Sequence, residues 1–175
     1  MISFMGKQIL IGIMIMLVSV HSHARVTTLQ ELPQSRMVGS GKLTWLGVTV
    51  YQIKLYAPEG RYRADHPHAI KINYELSFSR EKMAQRSLKE IERIYGKQPK
   101  RKKMERELAS VFRDVVKGDH ITGVHYPGKG ADFYGKHGLF GRLDDAELAA
   151  AFFAIWLDQR TSEPDLRSKL LGEMQ

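Results

Sequence analysis

The chain has 175 residues, with 27 lysines and arginines against 19 aspartates and glutamates, which gives a formal net charge of +8. Hydrophobic residues make up 43% of the chain and charged residues 26%, proportions that are typical of a folded protein and exclude wholesale disorder. There are no cysteines, which excludes disulfide bonds, zinc–thiolate sites, iron–sulfur clusters and a thiol nucleophile. The length fits a single domain.

The first 24 residues are typical of a secretory signal peptide. Lys7 precedes a run of twelve mostly apolar residues at positions 9–20, and Ser22 and Ala24 place small side chains before a cleavage site. Twelve residues are fewer than the roughly 20 that a spanning helix needs, although an uncleaved anchor or a buried helix remains an alternative. We expect cleavage after Ala24, export to the periplasm, and a mature domain over residues 25–175.

Several stretches of the mature chain have the composition of β-strands. Residues 43–56 are rich in β-branched and aromatic side chains, and Gly47 marks either a bulge or a bend between two shorter strands. Residues 69–76 alternate apolar and polar side chains, as a half-buried strand does. Three shorter strands, separated by glycine-containing turns, are predicted at residues 120–126, 131–134 and 139–143.

Two helices are predicted between the second and third of these strands. Ser79 is suited to cap the first, which should run to Tyr95 and close at Gly96. Apolar residues recur at helical spacing through residues 99–118, which predicts a second helix.

The remaining helices follow the last strand. A helix over residues 144–158, capped by Asp144 or Asp145, is apolar nearly all round and should be buried. Ser162 should cap a short final helix. The order of strands, two helices, strands and two helices predicts an α+β fold with an antiparallel sheet.

A basic cluster stands at the predicted start of the second helix. Cations there oppose the helix dipole, so helix stability does not explain them. They would suit an anionic membrane surface or a polyanion, the alternative being a solvated helix start. No aromatic residues interleave with the run, so nucleic acid is not an expected partner. The cluster consists of Lys97, Lys100, Arg101, Lys102 and Lys103, with Arg106 beyond it.

No motif for a metal, a cofactor or a serine nucleophile stands out. His120 and His125 lie five residues apart on one strand, which directs them to opposite faces of the sheet. The chain has neither the H-E-x-x-H pattern of zinc proteases nor the G-x-S-x-G pattern of serine hydrolases. We therefore expect no cofactor and no metal.

Three segments together resemble the chalcone isomerase-like family, in its bacterial exported branch. The first is GSGKLTWLGVTVY at residues 39–51, followed by LYAP at 55–58. The second runs from KGD at 117–119 through YPG at 126–128 to FY at 133–134. The third is AFFAIWL at 151–157 with TSEPDLR at 161–167. The resemblance extends over about residues 38–172.

The resemblance implies an open-faced β-sandwich, in which a large antiparallel sheet carries a helical layer on one face. The ligand cleft of the family lies between the sheet and the helices. Some members cyclise chalcones to flavanones, and others bind fatty acids without known turnover. In both groups an arginine near the first core strand holds an anionic oxygen. Arg36 is the nearest match here, with Lys42 as a weaker substitute.

Other family positions are only partly matched. Leu46 stands where the cyclising enzymes have a threonine, and Ser79 stands where they have a tyrosine. Lys82 matches the family's lysine, whereas Arg86 replaces an asparagine. Cyclisation needs fixed donors around the developing enolate, and a leucine cannot donate.

The resemblance therefore favours a non-catalytic periplasmic protein that binds a fatty acid or a similar amphiphilic anion. The alternatives are an isomerase or intramolecular lyase with an unknown substrate, and a structural module without a ligand. The candidate ligand-binding residues are Arg36, Leu46, Tyr51, Tyr74 and Lys82.

Overall fold

A computed structural model describes residues 29–173 of the chain, so the predicted signal peptide at residues 1–24 lies outside the described residues. The strands are β1 (Ser35–Trp45), β2 (Val48–Pro58), β3 (His68–Tyr74), β4 (His120–Tyr126), β5 (Gly130–Gly135) and β6 (Gly138–Leu143). The helices are α1 (Arg80–Tyr95), α2 (Arg101–Val111), α3 (Ala146–Leu157) and α4 (Pro164–Leu170).

The six strands form one antiparallel sheet in which each strand pairs with its neighbour in the chain, from β1 at one edge to β6 at the other. Helices α1 and α2 lie between β3 and β4 in the chain. The predicted α+β fold with an antiparallel sheet is confirmed.

Helices cover one face of the sheet, because alternate strand residues on that face are large and apolar. Ile53, Ile72 and Phe133 from the strands pack in one core with Ile91 of α1 and Phe153 of α3. A smaller cluster on the opposite face joins Leu29, Leu32, Tyr56, Ala69 and Val124. The main hydrophobic core therefore lies between the sheet and the helical layer.

The stretch predicted as one strand at residues 43–56 is a hairpin of two strands. Trp45 pairs with Val48, and the two residues between them form the turn. Gly47 has φ of 79°, a left-handed conformation that favours glycine. Of the two alternatives for Gly47, the bend between shorter strands is the one confirmed.

The helix caps follow the sequence closely. The Ser79 hydroxyl accepts a hydrogen bond from the Lys82 amide, and the Asp145 carboxylate accepts one from the Leu148 amide. Gly96 ends α1 with φ of 80°, as predicted. The last helix differs: its N-cap is Glu163, because the Ser162 hydroxyl donates instead to the Glu90 carboxylate.

The prediction that the second helix continues to residue 118 is wrong, since α2 ends at Val111. Val115 forms an isolated antiparallel bridge with Phe78, and each residue donates its amide to the carbonyl of the other. Phe112 and Val115 are buried, as the helical pattern required, but they are buried from extended chain. The spacing of Phe112 and Val115 matched one face of a helix, but it also allows extended chain to bury both side chains.

Helix α4 lies directly on strand β1. Leu166 and Leu170 of α4 are buried, and a Cβ atom on Gly39 of β1 would collide with the backbone oxygens of Lys169 and Leu170. The absence of a side chain at Gly39 therefore sets how closely this helix approaches the sheet.

We predict that Gly39→Ala lowers the free energy of unfolding by about 2–4 kcal/mol, because neither backbone oxygen can move without displacing α4. Denaturant unfolding followed by circular dichroism measures the change. Ser40→Ala, at an exposed neighbouring position, is the control and should change stability little. Equal stability of the two variants would contradict the tight packing of α4 on β1.

Candidate functional site

A cavity of about 150 Å³ lies between the sheet and the helical layer. Its wall is mostly apolar, and its polar groups are few. Strands β2, β3, β4 and β5 contribute one side, and α1, α3 and the segments flanking α1 and α2 contribute the other. The lining residues include Ile70, Ile72, Phe78, Met83, Phe112, Ile121, Phe133, Phe152 and Phe153. An enclosure of this kind binds an apolar group in preference to water.

Two cations of α1 lie where the cavity meets the protein surface, and we call this opening the mouth of the cavity. Lys82 and Arg86 both line it while belonging to the exposed residues of the helix. They lie four residues apart, which places them on the same helix face. Arg86 is held by Glu90, whose Oε1 lies 2.7 Å from the guanidinium Nη2. An anionic group that entered the mouth would therefore meet two positive charges.

Two tyrosines and a tryptophan supply further polar groups inside. The indole Nε1–H of Trp156 donates to the Tyr51 hydroxyl oxygen at 2.9 Å, which links α3 to β2. The Tyr51 and Tyr74 rings meet edge to face, with centroids 6.4 Å apart. Burial raises the pKa of Tyr51 to about 12 and also raises the pKa of Tyr74. Both phenols keep their protons at neutral pH and can donate hydrogen bonds, but neither is a base there.

Comparisons with known proteins agree with this architecture. The sequence profile of the family described as chalcone isomerase-like matches residues 33–172. The chain belongs to the chalcone isomerase-like family. The fold is similar to the crystal structure of a fatty-acid binding protein from Arabidopsis thaliana, with a TM-score of 0.62 and 13% sequence identity over 81% of this chain and 88% of that one. No curated protein sequence matches this chain.

That structural similarity confirms the fold class, an α+β chalcone isomerase-like fold with an open antiparallel sheet. At 13% identity it carries the architecture and does not by itself assign a ligand to this chalcone isomerase-like protein. None of the helices formed by residues 29–173 is long and apolar enough to cross a membrane.

Three of the five candidate ligand-binding residues come together at the cavity. Tyr51, Tyr74 and Lys82 all line it, from β2, β3 and α1 respectively. Their convergence depends on pairing between β2 and β3, where Tyr51 lies directly opposite Tyr74.

The other two candidates lie away from the cavity. Arg36 is exposed on the edge strand β1 and pairs with Ala57, six residues along β2 from Tyr51, which is about 20 Å. Leu46 is 82% exposed because it occupies the turn of the hairpin and not the interior of a strand. The cations that line the cavity are Lys82 and Arg86, and Arg36 is not among them.

Several residues of the cavity were not among the sequence candidates. Arg86 was recognised only as a departure from the family pattern, although its spacing from Lys82 placed both on one helix face. Trp156 was expected to be buried in α3, but its hydrogen bond to Tyr51 crosses 105 residues of sequence. No local signal could have identified that pair.

A second depression, of about 620 Å³, lies beside two buried histidines on the other side of α3. The Nδ1 of His68 lies 2.9 Å from the His66 carbonyl oxygen and must donate to it. In a neutral His68 ring the Nε2 accepts from Nδ1 of His125, 3.4 Å away. The Nε2 of His125 is buried without a partner among the described residues, and the ring stacks on Phe153. Burial of both rings favours this neutral arrangement.

Nowhere in the stretch from residue 29 to residue 173 do three His, Cys, Asp or Glu side chains group closely enough to hold a metal ion. Burial lowers the pKa of His125 to about 4, and the neighbouring His68 ring adds to the effect. Burial likewise lowers the pKa of His68.

We predict a loss of stability in acid that originates at His125. An unfolded histidine takes up a proton below about pH 6.5, whereas folded His125 resists it until about pH 4, so the unfolded state binds more protons in this interval. Between pH 7.5 and pH 4.5 this difference removes about 2–3 kcal/mol of folding free energy. His125→Phe should flatten this part of the pH profile, measured by urea unfolding.

His137→Phe, at an exposed turn, is the control and should leave the pH profile unchanged. A profile for His125→Phe that falls as steeply as the wild type would contradict the buried neutral pair.

Proposed function

We propose that this chalcone isomerase-like protein binds a fatty acid or a similar amphiphilic anion and performs no turnover on it. The apolar tail would occupy the cavity between sheet and helices, and the carboxylate would contact Lys82 and Arg86. The observation that carries the proposal is the combination of an apolar enclosure with two cations at its mouth. The similarity in fold to a protein described as fatty-acid binding supports the same class of ligand.

The cations are suited to a carboxylate. Within the described chain Lys82 makes no ion pair, whereas Arg86 uses Nη2 for Glu90 and retains other N–H groups. Charge-assisted hydrogen bonds from such groups are about twice as strong as neutral ones. Glu90 is in turn contacted by Arg93 and by the Ser162 hydroxyl, so it positions Arg86 without neutralising the whole mouth.

The size of the cavity limits the ligand. Small-molecule sites usually enclose about 300–1,000 Å³, and this one encloses about 150 Å³. A short or medium acyl chain fits best. A longer chain would require the flexible Met83 side chain in the wall to move.

The two alternatives have weaker support. An isomerase would need a base, and the cavity is lined by no Asp, Glu or His and by two tyrosines that hold their protons, which leaves Lys82 alone for that role. A structural module with a filled core would not need an open apolar cavity with charged groups at its mouth.

We predict that Lys82→Gln and Arg86→Gln each weaken octanoate binding by about tenfold, which corresponds to the loss of about 1.4 kcal/mol from one charge-assisted contact. Isothermal titration calorimetry measures the dissociation constants. Octan-1-ol, which has the same chain without the charge, should bind both variants as it binds the wild type. Hexanoate and palmitate would then test the limit that the cavity sets on chain length.

Lys89→Gln is the matched control, because Lys89 is exposed on the same helix and does not line the cavity. The proposal fails if octanoate binds all four proteins equally, or if it neither binds nor stabilises the wild type.

We also propose that the protein is exported to the periplasm after cleavage behind Ala24, as in the bacterial exported branch of the family. The support is the charged start, the apolar run and the small residues at positions 22 and 24. Amino-terminal sequencing of the protein from a periplasmic fraction should begin at Arg25. A first residue at Met1, or recovery from the cytoplasm alone, would contradict export.

The basic cluster is a further candidate contact with an anionic membrane surface. All of its members are exposed, and within residues 29–173 Arg101 alone among the five pairs with carboxylates, those of Glu92 and Glu105. Such a surface attracts exposed lysines within a Debye length. Vesicle binding by variants of this cluster, described below, tests the proposal.

A further inference from the structure

The hairpin that joins β1 and β2 ends in an apolar tip, which we define as Trp45, Leu46 and Val48. Their exposed fractions are 71%, 82% and 52%, among the highest of the large apolar residues in the described chain. Trp45 and Val48 form the last pair of the hairpin, with Leu46 and Gly47 as the turn between them. Three apolar side chains therefore project from the end of the sheet into solvent.

The fold alone does not account for leucine in this turn. Leu46 has φ of 47° and Gly47 has φ of 79°, so both central residues are left-handed. Asparagine or glycine is favoured in such a turn, and a residue with a larger side chain is strained by roughly 1–2 kcal/mol. An asparagine would relieve strain and remove an exposed apolar group at once. Leu46 is thus costly to the isolated protein in two independent ways.

Two further exposed apolar residues, Leu76 and Val116, lie at the same end of the sheet. Tyr51 pairs with Tyr74, and the amide of Glu75 donates to the carbonyl of Val50, which brings Leu76 beside the start of β2. The amide of Gly118 donates to the carbonyl of Tyr74, which brings Val116 alongside. Leu76 is 38% exposed and Val116 is 59% exposed.

This end of the sheet is also the end that holds the cavity. Val50 and Tyr51, at the start of β2, both line the cavity, as does Lys82 in the first turns of α1. An amphiphile released from a surface at the tip would therefore have only a short path to the mouth.

The attraction to an anionic surface comes from the net charge of the domain and not from this end alone. Within residues 29–173 neither Lys82 nor Lys117 makes an ion pair, but four carboxylates lie at the same end, those of Glu75, Glu81, Asp114 and Asp119. The form without residues 1–24 loses only the charge of Lys7 from the +8 of the whole chain, which leaves +7. This positive charge attracts anionic lipid.

We propose that the apolar tip inserts into the headgroup region of an anionic phospholipid bilayer and thereby presents the cavity mouth to the membrane. The inference rests on the proposed function, because it gives the source from which the amphiphilic ligand enters. Tryptophan is enriched at the interface between headgroups and acyl chains, where its ring is partly apolar and partly hydrogen-bonding.

A protein partner fits the tip less well. Stable protein interfaces bury about 800 Å² on each partner, and even an aromatic side chain buries no more than about 250 Å². A single tight turn can insert deeply into a bilayer, but it offers little flat surface to a protein partner. A fluid interface accommodates such a projection without a complementary pocket.

Binding through the tip and binding through the basic cluster would orient the protein differently on the membrane. The tip lies near the amino end of α1, and the cluster follows its carboxyl end. The helix has 16 residues and is therefore about 24 Å long. The two contacts can be separated by substitution.

The test is flotation of the protein with vesicles of equal parts phosphatidylglycerol and phosphatidylethanolamine. The chain from Arg25 onward contains every described element and both core clusters, so this form is used for the wild type and all variants. Trp45→Ser and Leu46→Asn should each lower the partition coefficient at least tenfold. Leu46→Asn should melt no lower than the wild type, because asparagine suits the left-handed turn.

Met37→Asn is the matched control, since Met37 is 41% exposed at the opposite end of β1, where it pairs with Tyr56, and should not affect binding. Brominated phosphatidylglycerol should quench the fluorescence of Trp45, whereas Trp156 is buried in the core. Octanoate affinity in solution should be unchanged in both tip variants, so loss of vesicle binding with normal octanoate binding supports docking separately from the cavity.

Three results would overturn docking through the tip. The first is a wild-type protein that does not float with these vesicles. The second is tip variants that bind as the wild type does, while Lys100→Gln, Lys102→Gln and Lys103→Gln together abolish binding. The third is absence of quenching by the brominated lipid. If octanoate fails to bind the wild type but the tip still inserts, the cavity proposal fails and the docking remains.

Discussion

Helix α3 buries all six of its large apolar side chains, and the arrangement of the protein follows from how that is achieved. Trp156 extends to β2, where its indole hydrogen-bonds the Tyr51 hydroxyl. Phe152 packs against Phe112 and Phe133, and Phe153 stacks on His125. One apolar helix thus fixes the cavity wall on one side and the neutral histidine pair on the other.

This packing separates two kinds of buried polar group. Tyr51 donates or accepts without changing charge at any moderate pH, because burial raises its pKa to about 12. His125 also stays neutral near pH 7, but protonation comes within reach in acid because burial lowers its pKa to about 4. Acid therefore weakens the fold at the histidine pair while it leaves the hydrogen-bonding groups of the cavity in the same state. The site and the stability of its scaffold respond to pH independently.

The parts of the fold that sequence could predict are those that depend on local chemistry. Ser79, Gly96 and Asp145 act as caps because of backbone geometry within a few residues, and each was recognised from its neighbours. The end of α2 was missed because Phe112 and Val115 satisfy a helical pattern and are also buried from extended chain. Periodicity reports which residues are buried, and it does not report the backbone that buries them.

In the candidate site, too, some features follow from local sequence and others depend on how the strands pair. Tyr51 and Tyr74 were candidates because each lies in a predicted strand, but that they are direct neighbours follows only from the register between β2 and β3. The position of Arg36 depends on the register between β1 and β2, which the sequence left open, and that register puts it at the far end of the hairpin from the cavity. The same register turns Leu46 from an expected wall residue into an exposed turn.

In the proposed site the cations belong to a helix and not to a strand, which has a mechanical consequence. An arginine on β1 would be held by the pairing of an edge strand, whereas Lys82 and Arg86 project from consecutive turns of a helix that Ser79 caps. Arg86 is further positioned by Glu90, which Arg93 and Ser162 hold from the other side. Of the two cations Arg86 is therefore already positioned before an anion binds, so it loses less side-chain entropy on binding than the exposed Lys82. In the proposed site Arg86 would thus be the ordered contact with a charged head group, and Lys82 the adaptable one.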